Sequence, residues 1–169
     1  MGIAGYASEV VFSDMKKILF LALCLFAISP LCLMAEEIAA TDSRVTFLGR
    51  AEVENGALRF DWPSTYFRVA FKGKALSMRV SDNKRNFYAV WVDMPTSAEP
   101  TRIVEVKGND TIIDLVLPSD VKKSKIKEHQ VVIQKRTEAG CGTTTVFAFI
   151  TDGKFVQAEP MKEQQIEFI

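Results

Sequence analysis

Histidine is almost missing from this 169-residue chain, and neither sign of charge is in excess. The single histidine is His129, and Ser-His pairs, Cys-His pairs and multi-histidine metal sites would all have to use it. The 21 basic and 21 acidic side chains leave a net charge of zero at pH 7. Nucleic-acid binding needs a concentrated basic surface, so no such partner is predicted. No metal or other cofactor is predicted either.

A long membrane-spanning run is also missing. The apolar run 18–28 is too short to cross a hydrocarbon core of about 30 Å as a helix, and Pro30 follows it. Lys16 and Lys17 precede the run and Ala35 follows, which is the pattern of a secretory signal peptide over residues 1–35. A membrane anchor is the alternative. We expect a secreted or periplasmic protein that has no membrane attachment after cleavage.

The first 14 residues contain Glu9 and Asp14, which do not suit the positively charged start of a signal peptide. We therefore expect translation to begin at Met15. Cleavage after Ala35 would leave 134 residues with 19 basic and 19 acidic groups.

Cysteine is scarce as well, because two of the three cysteines lie in the predicted signal peptide. Cys141 would then have no partner within the chain, so the fold is expected to rely on its hydrophobic core. As a nucleophile Cys141 would need a base, for which His129 is the one candidate. We interpret it as a loop thiol.

Short β-rich segments separated by turn residues fill most of the remaining chain. Phe67, Val69 and Phe71 lie on the face opposite Tyr66, Arg68 and Ala70, and the inward-facing Leu76, Met78 and Val80 alternate with Ser77 and Arg79. Turn signals include Asn55-Gly56 and 108–110. The predicted strands are 45–48, 57–62, 65–71, 75–80, 87–92, 102–106, 111–117, 130–135, 144–150 and 155–156. This pattern predicts an all-β fold over residues 44–157, an antiparallel β-sandwich of nine or ten strands with a jelly-roll-like topology.

Residues 158–169 differ from the rest of the chain. The segment 158–160 resembles a linker, and 166–169 has the pattern of a new strand. A chain that stops within an apolar strand would leave an unpaired edge. We therefore expect 158–169 to be a linker and the first strand of a C-terminal domain.

Several strings, taken together in order, resemble the N-terminal jelly-roll domain of carbohydrate esterase family 2. They are Gly49-Arg50, Arg59-Phe60-Asp61-Trp62, Phe71-Lys72-Gly73, Ser81-Asp82, Asn86-Phe87-Tyr88-Ala89-Val90-Trp91-Val92-Asp93, Gln134-Lys135-Arg136-Thr137-Glu138 and Thr143-Thr144-Thr145. The resemblance covers about 45–169. Members of that family are secreted acetyl esterases that act on xylan and related plant polysaccharides.

The resemblance implies that an SGNH-type hydrolase domain follows this chain and supplies the catalytic machinery. The family's catalytic serine and histidine have no counterparts in this sequence, so no catalytic residue is predicted. No serine of the mature region lies in a Gly-x-Ser-x-Gly nucleophile elbow. The chain alone is expected to be inactive.

Two functional hypotheses remain. In the first, the domain is the non-catalytic module of a two-domain acetyl esterase, packs on the missing catalytic domain and helps to orient polysaccharide. In the second, it is a free-standing carbohydrate-binding sandwich. Sugar rings stack on exposed aromatic faces, which makes Trp62 and Tyr66, beside Pro63-Ser64, the candidate contacts. Tyr88 and Trp91 lie in an apolar run and are expected to pack within the protein.

Overall fold

The computed structural model of the chain describes residues 35–122 and 125–161, so the predicted signal peptide and the predicted strand 166–169 lie outside the described residues. Ten antiparallel strands make up most of this region. One helical turn, α1 (Pro118–Val121), and one 3-10 turn (Ala139–Cys141) interrupt them. The strands are β1 (Glu36–Ala39), β2 (Thr46–Leu48), β3 (Glu52–Glu54), β4 (Ala57–Phe60), β5 (Tyr66–Lys72), β6 (Leu76–Val92), β7 (Arg102–Val116), β8 (His129–Lys135), β9 (Thr144–Thr151) and β10 (Lys154–Val156).

Two layers arise because β6 and β7 are long enough to belong to both. The first part of β6 (76–82) pairs with β9, and its last part (88–92) pairs with β8. On the outer side, β7 follows β6 through both layers. The layer around β9, called the β9 sheet, also contains β1, β3 and β4. The layer around β8, called the β8 sheet, also contains β2, β5 and β10. The predicted antiparallel β-sandwich is confirmed.

Apolar side chains from both layers fill the core. Phe67 of β5 packs against Phe149 of β9 with ring centroids 5.5 Å apart, and it also contacts Phe47 and Phe60 at 5.1 and 5.7 Å. The alternation read from the sequence is confirmed, because Phe67, Val69 and Phe71 of β5 and Leu76, Met78 and Val80 of β6 are all buried. Burial of such side chains is the main force that holds the two layers together.

Two predicted chain reversals are absent from this part of the chain. The segments 75–80 and 87–92 are one strand, β6, and the segments 102–106 and 111–117 are largely one strand, β7. Pairing of β6 with β7 shifts register between Leu76 and Ser77 and on both sides of Asp82. Gly108 and Asp110 adopt positive φ values of 86° and 48° without ending the strand. The turn residues at 108–110 therefore form an irregularity within β7 rather than a hairpin.

Hydrogen bonds around Arg44 hold strand β1 in place. The sequence pattern did not predict this strand. The Arg44 guanidinium donates to Asp42 through Nε and Nη2, both at 2.9 Å, and to Glu36 Oε1 through Nη1 at 2.8 Å. The second oxygen of Glu36 accepts from the backbone N–H of Phe155 at 2.6 Å. The hydrogen bond from Arg44 is the main cause that lowers the pKa of Glu36, and it also lowers the pKa of Asp42.

Several buried polar side chains, together called the Asp82 cluster, lie at the bend of β6. Asp82 Oδ2 accepts from Thr144 Oγ1 and from Asn86 Nδ2, both at 2.6 Å, and Tyr88 donates its hydroxyl hydrogen to Thr144 at 2.9 Å. All four side chains are buried. Burial raises the pKa of Tyr88 and keeps this phenol protonated as a donor. These donors and acceptors satisfy one another, as buried polar groups require.

Lys135 is the fifth member of the Asp82 cluster and is fully buried at the end of β8. Its ammonium donates to the carbonyl oxygens of Thr137 and Glu138 at 2.7 and 3.4 Å. Burial lowers the pKa of Lys135, while the negative charge of Asp82 acts against that shift. The ammonium thus holds the loop after β8, and Thr137 of that loop donates its hydroxyl hydrogen to Asn86 Oδ1 beyond the bend of β6.

The Arg44 cluster predicts a specific pH dependence of stability. Both carboxyl pKa values lie below their ordinary values of 4.5 and 3.8 in the folded chain. The stabilisation is therefore complete above those values and is lost as the pH falls through the folded-state pKa values. Arg44→Met should lower the free energy of unfolding by about 1 kcal/mol at neutral pH and by much less near pH 2, measured by urea unfolding.

The matched control is Arg59→Met, because Arg59 pairs with Glu52 at 3.2 Å and both side chains are well exposed. This variant should change stability little at either pH. An Arg44→Met effect of equal size at both pH values would show that ion pairing is not its source.

The Asp82 cluster predicts a large cost for removing its carboxylate. Asp82→Ala leaves the buried Lys135 ammonium without its opposing charge and leaves Thr144 and Asn86 without an acceptor. We expect a loss of about 3–5 kcal/mol in urea unfolding, with part of it recovered in Asp82→Ala combined with Lys135→Met. Asp114→Ala, which removes an exposed acceptor of Ser77, is the control. Equal losses for Asp82→Ala and Asp114→Ala would contradict this account.

Candidate functional site

Trp62 lies on the turn between β4 and β5, and its side chain is 52% exposed. The turn is fixed to the end of β8, because the N–H of Ser64 donates to the carbonyl of Lys135 and the N–H of Lys135 donates to the carbonyl of Thr65, both at 3.0 Å. The Cζ atom of Arg50 lies 5.6 Å from the centroid of the Trp62 ring. A rigidly held, exposed indole beside a guanidinium is a surface on which a sugar ring could stack.

Tyr66 lies at the same end of β5 as Trp62 but in a different environment. It is half-buried and packs on Ala89, Trp91 and Val132, which form a small hydrophobic cluster on the outer face of the β8 sheet. Trp91 is covered by the loop between β6 and β7, where the Ala98 carbonyl accepts its indole N–H at 2.8 Å. Tyr88 lies in the main core, on the opposite face of β6. Packing of Tyr88 and Trp91 within the protein is confirmed, whereas Trp62 and Tyr66 remain candidate sugar contacts.

An apolar row crosses the outer face of the β8 sheet. The strand registers place Leu48 beside Tyr66, Tyr66 beside Gln134, Gln134 beside Ala89, and Ala89 beside Ile103. Ile103 is 50% exposed at the far end of this row. A parallel row on the same face places Arg68 beside Val132 and Val132 beside Trp91. Ala89, Trp91 and Val132 in these rows are buried within the chain, whereas Ile103 is well exposed.

The outer face of the β9 sheet is polar by comparison. Arg79 and Asp110 form two hydrogen bonds of 2.6 and 2.8 Å across β6 and β7. Ser77 donates to Asp114 at 2.9 Å on the same face. Ile112 pairs with Arg79, and the Cζ atom of Arg79 lies 5.5 Å from the centroid of the Phe147 ring, so apolar side chains also lie on this face.

The chain passes from β10 to the edge of the β8 sheet. The N–H of Ala158 donates to the carbonyl of Arg44 at 3.0 Å, and Thr46 Oγ1 donates to the carbonyl of Glu159 at 3.2 Å. Arg68, on the outer face of β5, donates to the carbonyl of Pro160 at 3.2 Å and pairs with Glu159 at 3.6 Å. Residues 158–160 are therefore held beside β2 and β5 at the edge of the β8 sheet.

His129 is a buried structural histidine at the start of β8. Its Nδ1 lies 2.7 Å from Asp93 Oδ2, and its ring packs on Phe71 with centroids 5.5 Å apart. A cavity of about 740 Å³ borders His129, and the serine among its described lining residues is Ser119. The hydroxyl of Ser119 is 3.5 Å from Asp120, to which it donates. This geometry offers no activated serine at His129 within the described residues.

Cys141 is a free thiol in the 3-10 turn beyond the opposite end of β8 from His129. A strand of seven residues spans about 20 Å, which is too far for a Cys-His pair. Within 35–122 and 125–161, no three histidine, cysteine or acidic residues are grouped so that they could hold a metal ion. The same residues include no helix long and apolar enough to cross a membrane.

Sequence reasoning missed the apolar row and the position of the exit segment. The signal for the row was present in part, since Phe87–Val92 is apolar on both faces of the strand. The contribution of Ile103 could not be read from the sequence, because it depends on how β7 aligns with β6.

The family model for the carbohydrate esterase 2 N-terminal domain matches residues 47–160. A curated relative from Cellvibrio japonicus, an acetylxylan esterase / glucomannan deacetylase, is 29% identical over 127 residues. That alignment covers 72% of this chain and 32% of the relative. The chain thus spans about a third of the length of the curated relative it matches.

Solved structures of related enzymes share the fold. A family two carbohydrate esterase from Cellvibrio japonicus superposes with a TM-score of 0.62 at 22% identity, covering 75% of this chain and 36% of that one. A family two carbohydrate esterase from Clostridium thermocellum, in complex with cellohexaose, gives a TM-score of 0.57 at 21% identity, with coverages of 68% and 33%. Because the family model matches most of the described residues, this chain belongs to the carbohydrate esterase 2 N-terminal family.

Proposed function

We propose that this chain is the non-catalytic N-terminal β-sandwich of a secreted acetyl esterase that acts on xylan or related plant polysaccharides. The observation that carries the proposal is the family match over 47–160, combined with a longer relative, an acetylxylan esterase / glucomannan deacetylase, of which the alignment covers 32%. The catalytic SGNH-type domain would follow on the same polypeptide. The sandwich would support that domain and help to position the polysaccharide.

The chemistry of the described residues is consistent with a non-catalytic role. Ester hydrolysis needs an activated nucleophile, a base and preorganised donors for the oxyanion. His129 is buried against Phe71 and Asp93, and Cys141 lies at the other end of β8. The Asp82 cluster uses its polar atoms to hold the bend of β6. The polar side chains that are buried therefore serve the fold.

Export is part of the proposal, with the signal peptide at 1–35 and cleavage after Ala35. Three contacts support a mature chain that starts at Glu36. This residue begins β1, where it pairs with Thr151 of β9, and its carboxylate binds Arg44 and the N–H of Phe155. A mature chain from Glu36 would keep the whole of the first strand.

The proposal predicts that acetyl esterase activity requires the polypeptide beyond residue 169. The full-length gene product, exported and purified, should begin at Glu36 by mass spectrometry and should release acetate from acetylated xylan. The 169-residue chain should release no acetate above background, because residues 35–122 and 125–161 place no nucleophile beside a base. A stop codon directly after Ile169 in the natural gene, or acetate release by this chain alone, would refute the proposal that a non-catalytic sandwich is followed by a separate catalytic domain.

The second candidate function is a carbohydrate-binding sandwich that acts without an esterase partner. The exposure of Trp62 and the Arg50 guanidinium over its ring favour this reading. Tyr66, at the start of β5, would be the second contact, although half of its surface is already packed on the outer cluster. In both candidate functions an exposed aromatic ring can bind sugar, but only the first function requires a catalytic domain after this one.

Sugar binding at Trp62 makes a prediction of its own. Trp62→Ala should weaken retention of the chain on insoluble xylan by about tenfold, because an aromatic stacking platform typically contributes on the order of 1–3 kcal/mol. Val53→Ala, at an exposed apolar position on β3, is the control and should bind as the unchanged chain does. Unchanged retention of Trp62→Ala in pull-down assays would remove Trp62 from the candidate contacts.

A further inference from the structure

We propose that Trp62 and Arg50 form a binding site for an acidic sugar, in which the indole stacks on the ring of a uronic acid and the guanidinium binds its carboxylate. The inference rests on the proposed function, because it takes Trp62 as a contact for polysaccharide. It narrows the ligand to polysaccharides that carry uronic acids, either as side groups of xylan or along a polyuronate backbone.

The turn that carries Trp62 is held in a strained conformation by hydrogen bonds. Ser64 adopts a φ of 56°, in the left-handed region that residues other than glycine rarely occupy. The hydroxyl of the buried Thr65 donates to the carbonyl of Trp62, and the N–H of Ser64 donates to the carbonyl of Lys135, both at 3.0 Å. Strain of this kind persists where surrounding contacts hold it, and it is concentrated at ligand-binding sites. The indole is therefore presented on a preorganised turn.

A glycine brings Arg50 to this turn. Gly49 adopts a φ of 149°, and a Cβ atom there would lie 3.0 Å from the Cγ2 atom of Thr65. The backbone before Arg50 therefore packs directly on the side chain that holds the Trp62 turn, and a larger residue at position 49 would push the two segments apart. This close approach accompanies the distance of 5.6 Å between the Arg50 Cζ atom and the centroid of the indole.

Two other arginines of the described residues lie beside aromatic rings, and each also binds a carboxylate. The Cζ atom of Arg85 is 5.0 Å from the centroid of the Phe87 ring, and its Nε is 2.9 Å from Glu105. The second is Arg79, which lies beside a phenylalanine in the same way and binds Asp110 at 2.6 Å. In both cases the positive charge beside the ring is neutralised from within the chain.

Arg50 lacks such a partner. It is exposed, and within 35–122 and 125–161 no ion pair joins its guanidinium to an acidic side chain. The acidic residues near it act elsewhere, since Glu52 pairs with Arg59 at 3.2 Å and the charge of Asp61 acts on the buried Lys135. A guanidinium binds a carboxylate through two parallel hydrogen bonds. The Arg50 guanidinium can therefore take its carboxylate from a ligand.

An indole beside an unpaired guanidinium selects a ligand that has both a ring face and a carboxylate. The carboxylate of a uronic acid is bonded directly to the sugar ring, so a ring stacked on Trp62 carries the charge toward Arg50. A small anion would gain only an exposed ion pair, which is worth little in water, and a neutral sugar would gain only the stacking. The chain has no net charge, so a preference for acidic polysaccharide must arise locally.

The test measures dissociation constants of the chain for soluble polysaccharides by affinity electrophoresis at low salt. The probes are glucuronoxylan, polygalacturonate and neutral arabinoxylan, and the matched ligand is glucuronoxylan whose carboxylates have been reduced to alcohols. We expect Arg50→Gln to weaken binding to glucuronoxylan about fivefold, because one exposed ion pair is lost, and to leave binding to the reduced polymer unchanged. Trp62→Ala should weaken binding to both polymers about tenfold.

Arg85→Gln is the matched control, because it removes the same charge from an arginine that lies beside an aromatic ring but already has Glu105 as its partner. It should change binding to glucuronoxylan by less than about 1.5-fold. High salt should remove the effect of Arg50→Gln and leave the effect of Trp62→Ala. Circular dichroism and urea unfolding should be the same for the unchanged chain and Arg50→Gln, which separates lost binding from lost folding.

The outcomes decide between an acidic-sugar site and a general one. Equal binding of the unchanged chain to glucuronoxylan and to its reduced form would overturn the inference, and so would equal losses for Arg50→Gln and Arg85→Gln. Binding that is confined to polygalacturonate and weakened in Arg50→Gln supports the site and assigns the uronic acid to a polyuronate instead of xylan.

Failure of this inference can be separated from failure of the proposed function. If the full-length polypeptide releases acetate from acetylated xylan but Arg50→Gln binds glucuronoxylan normally, the acidic-sugar site is refuted and the proposed function stands. A gene without a hydrolase domain after residue 169 refutes the proposed function. A selective loss in Arg50→Gln would then still support the site, as part of the second candidate function.

Discussion

The bend of β6 between Asp82 and Asn86 is the point on which the two-layer arrangement depends. One strand can contribute to both sheets only if it changes direction there, and the change leaves polar atoms inside the protein. Asp82 accepts from Thr144 in β9 and from Asn86 beyond the bend, so one carboxylate joins the two layers. The Lys135 ammonium donates to the carbonyl of Thr137 and so holds the loop that follows β8. Gly142 is required beside this cluster, because its φ is 127° and a Cβ atom there would lie 2.7 Å from Asn83 Oδ1.

Most of the buried polar side chains of the domain belong to the Asp82 cluster at this bend or to the Asp93–His129 pair. The buried side chains that could act in catalysis therefore already form hydrogen bonds that hold strands and loops in place. What remains for function is the surface, where the exposed indole of Trp62 and the exit segment 158–160 lie near β5 and β8. Their arrangement is suited to a domain that supports a neighbour and contacts an extended substrate.

Several elements could be predicted because they depend on local pattern. Alternation of Phe67, Val69 and Phe71 identifies one buried face of β5, since successive side chains of a strand point to opposite sides. Asn55-Gly56 identifies the hairpin of β3 and β4, because both residues adopt positive φ there. Other features depended on distant residues. Strand β1 is too short and too polar to show a pattern, and it exists because it pairs with β9 and because Arg44 binds Glu36.

The sequence by itself determined the class of fold, the alternation of buried and exposed positions and the scarcity of catalytic side chains. It also carried the family resemblance through strings that lie in order along the chain. Tertiary structure decided that 108–110 continues a strand, because β7 pairs with β6 on both sides of this irregularity. It also decided that Tyr66, Ala89 and Ile103 share one row and that Pro160 lies beside it. Register between strands creates those neighbours, and register depends on pairing between residues far apart in the chain, which no local pattern encodes.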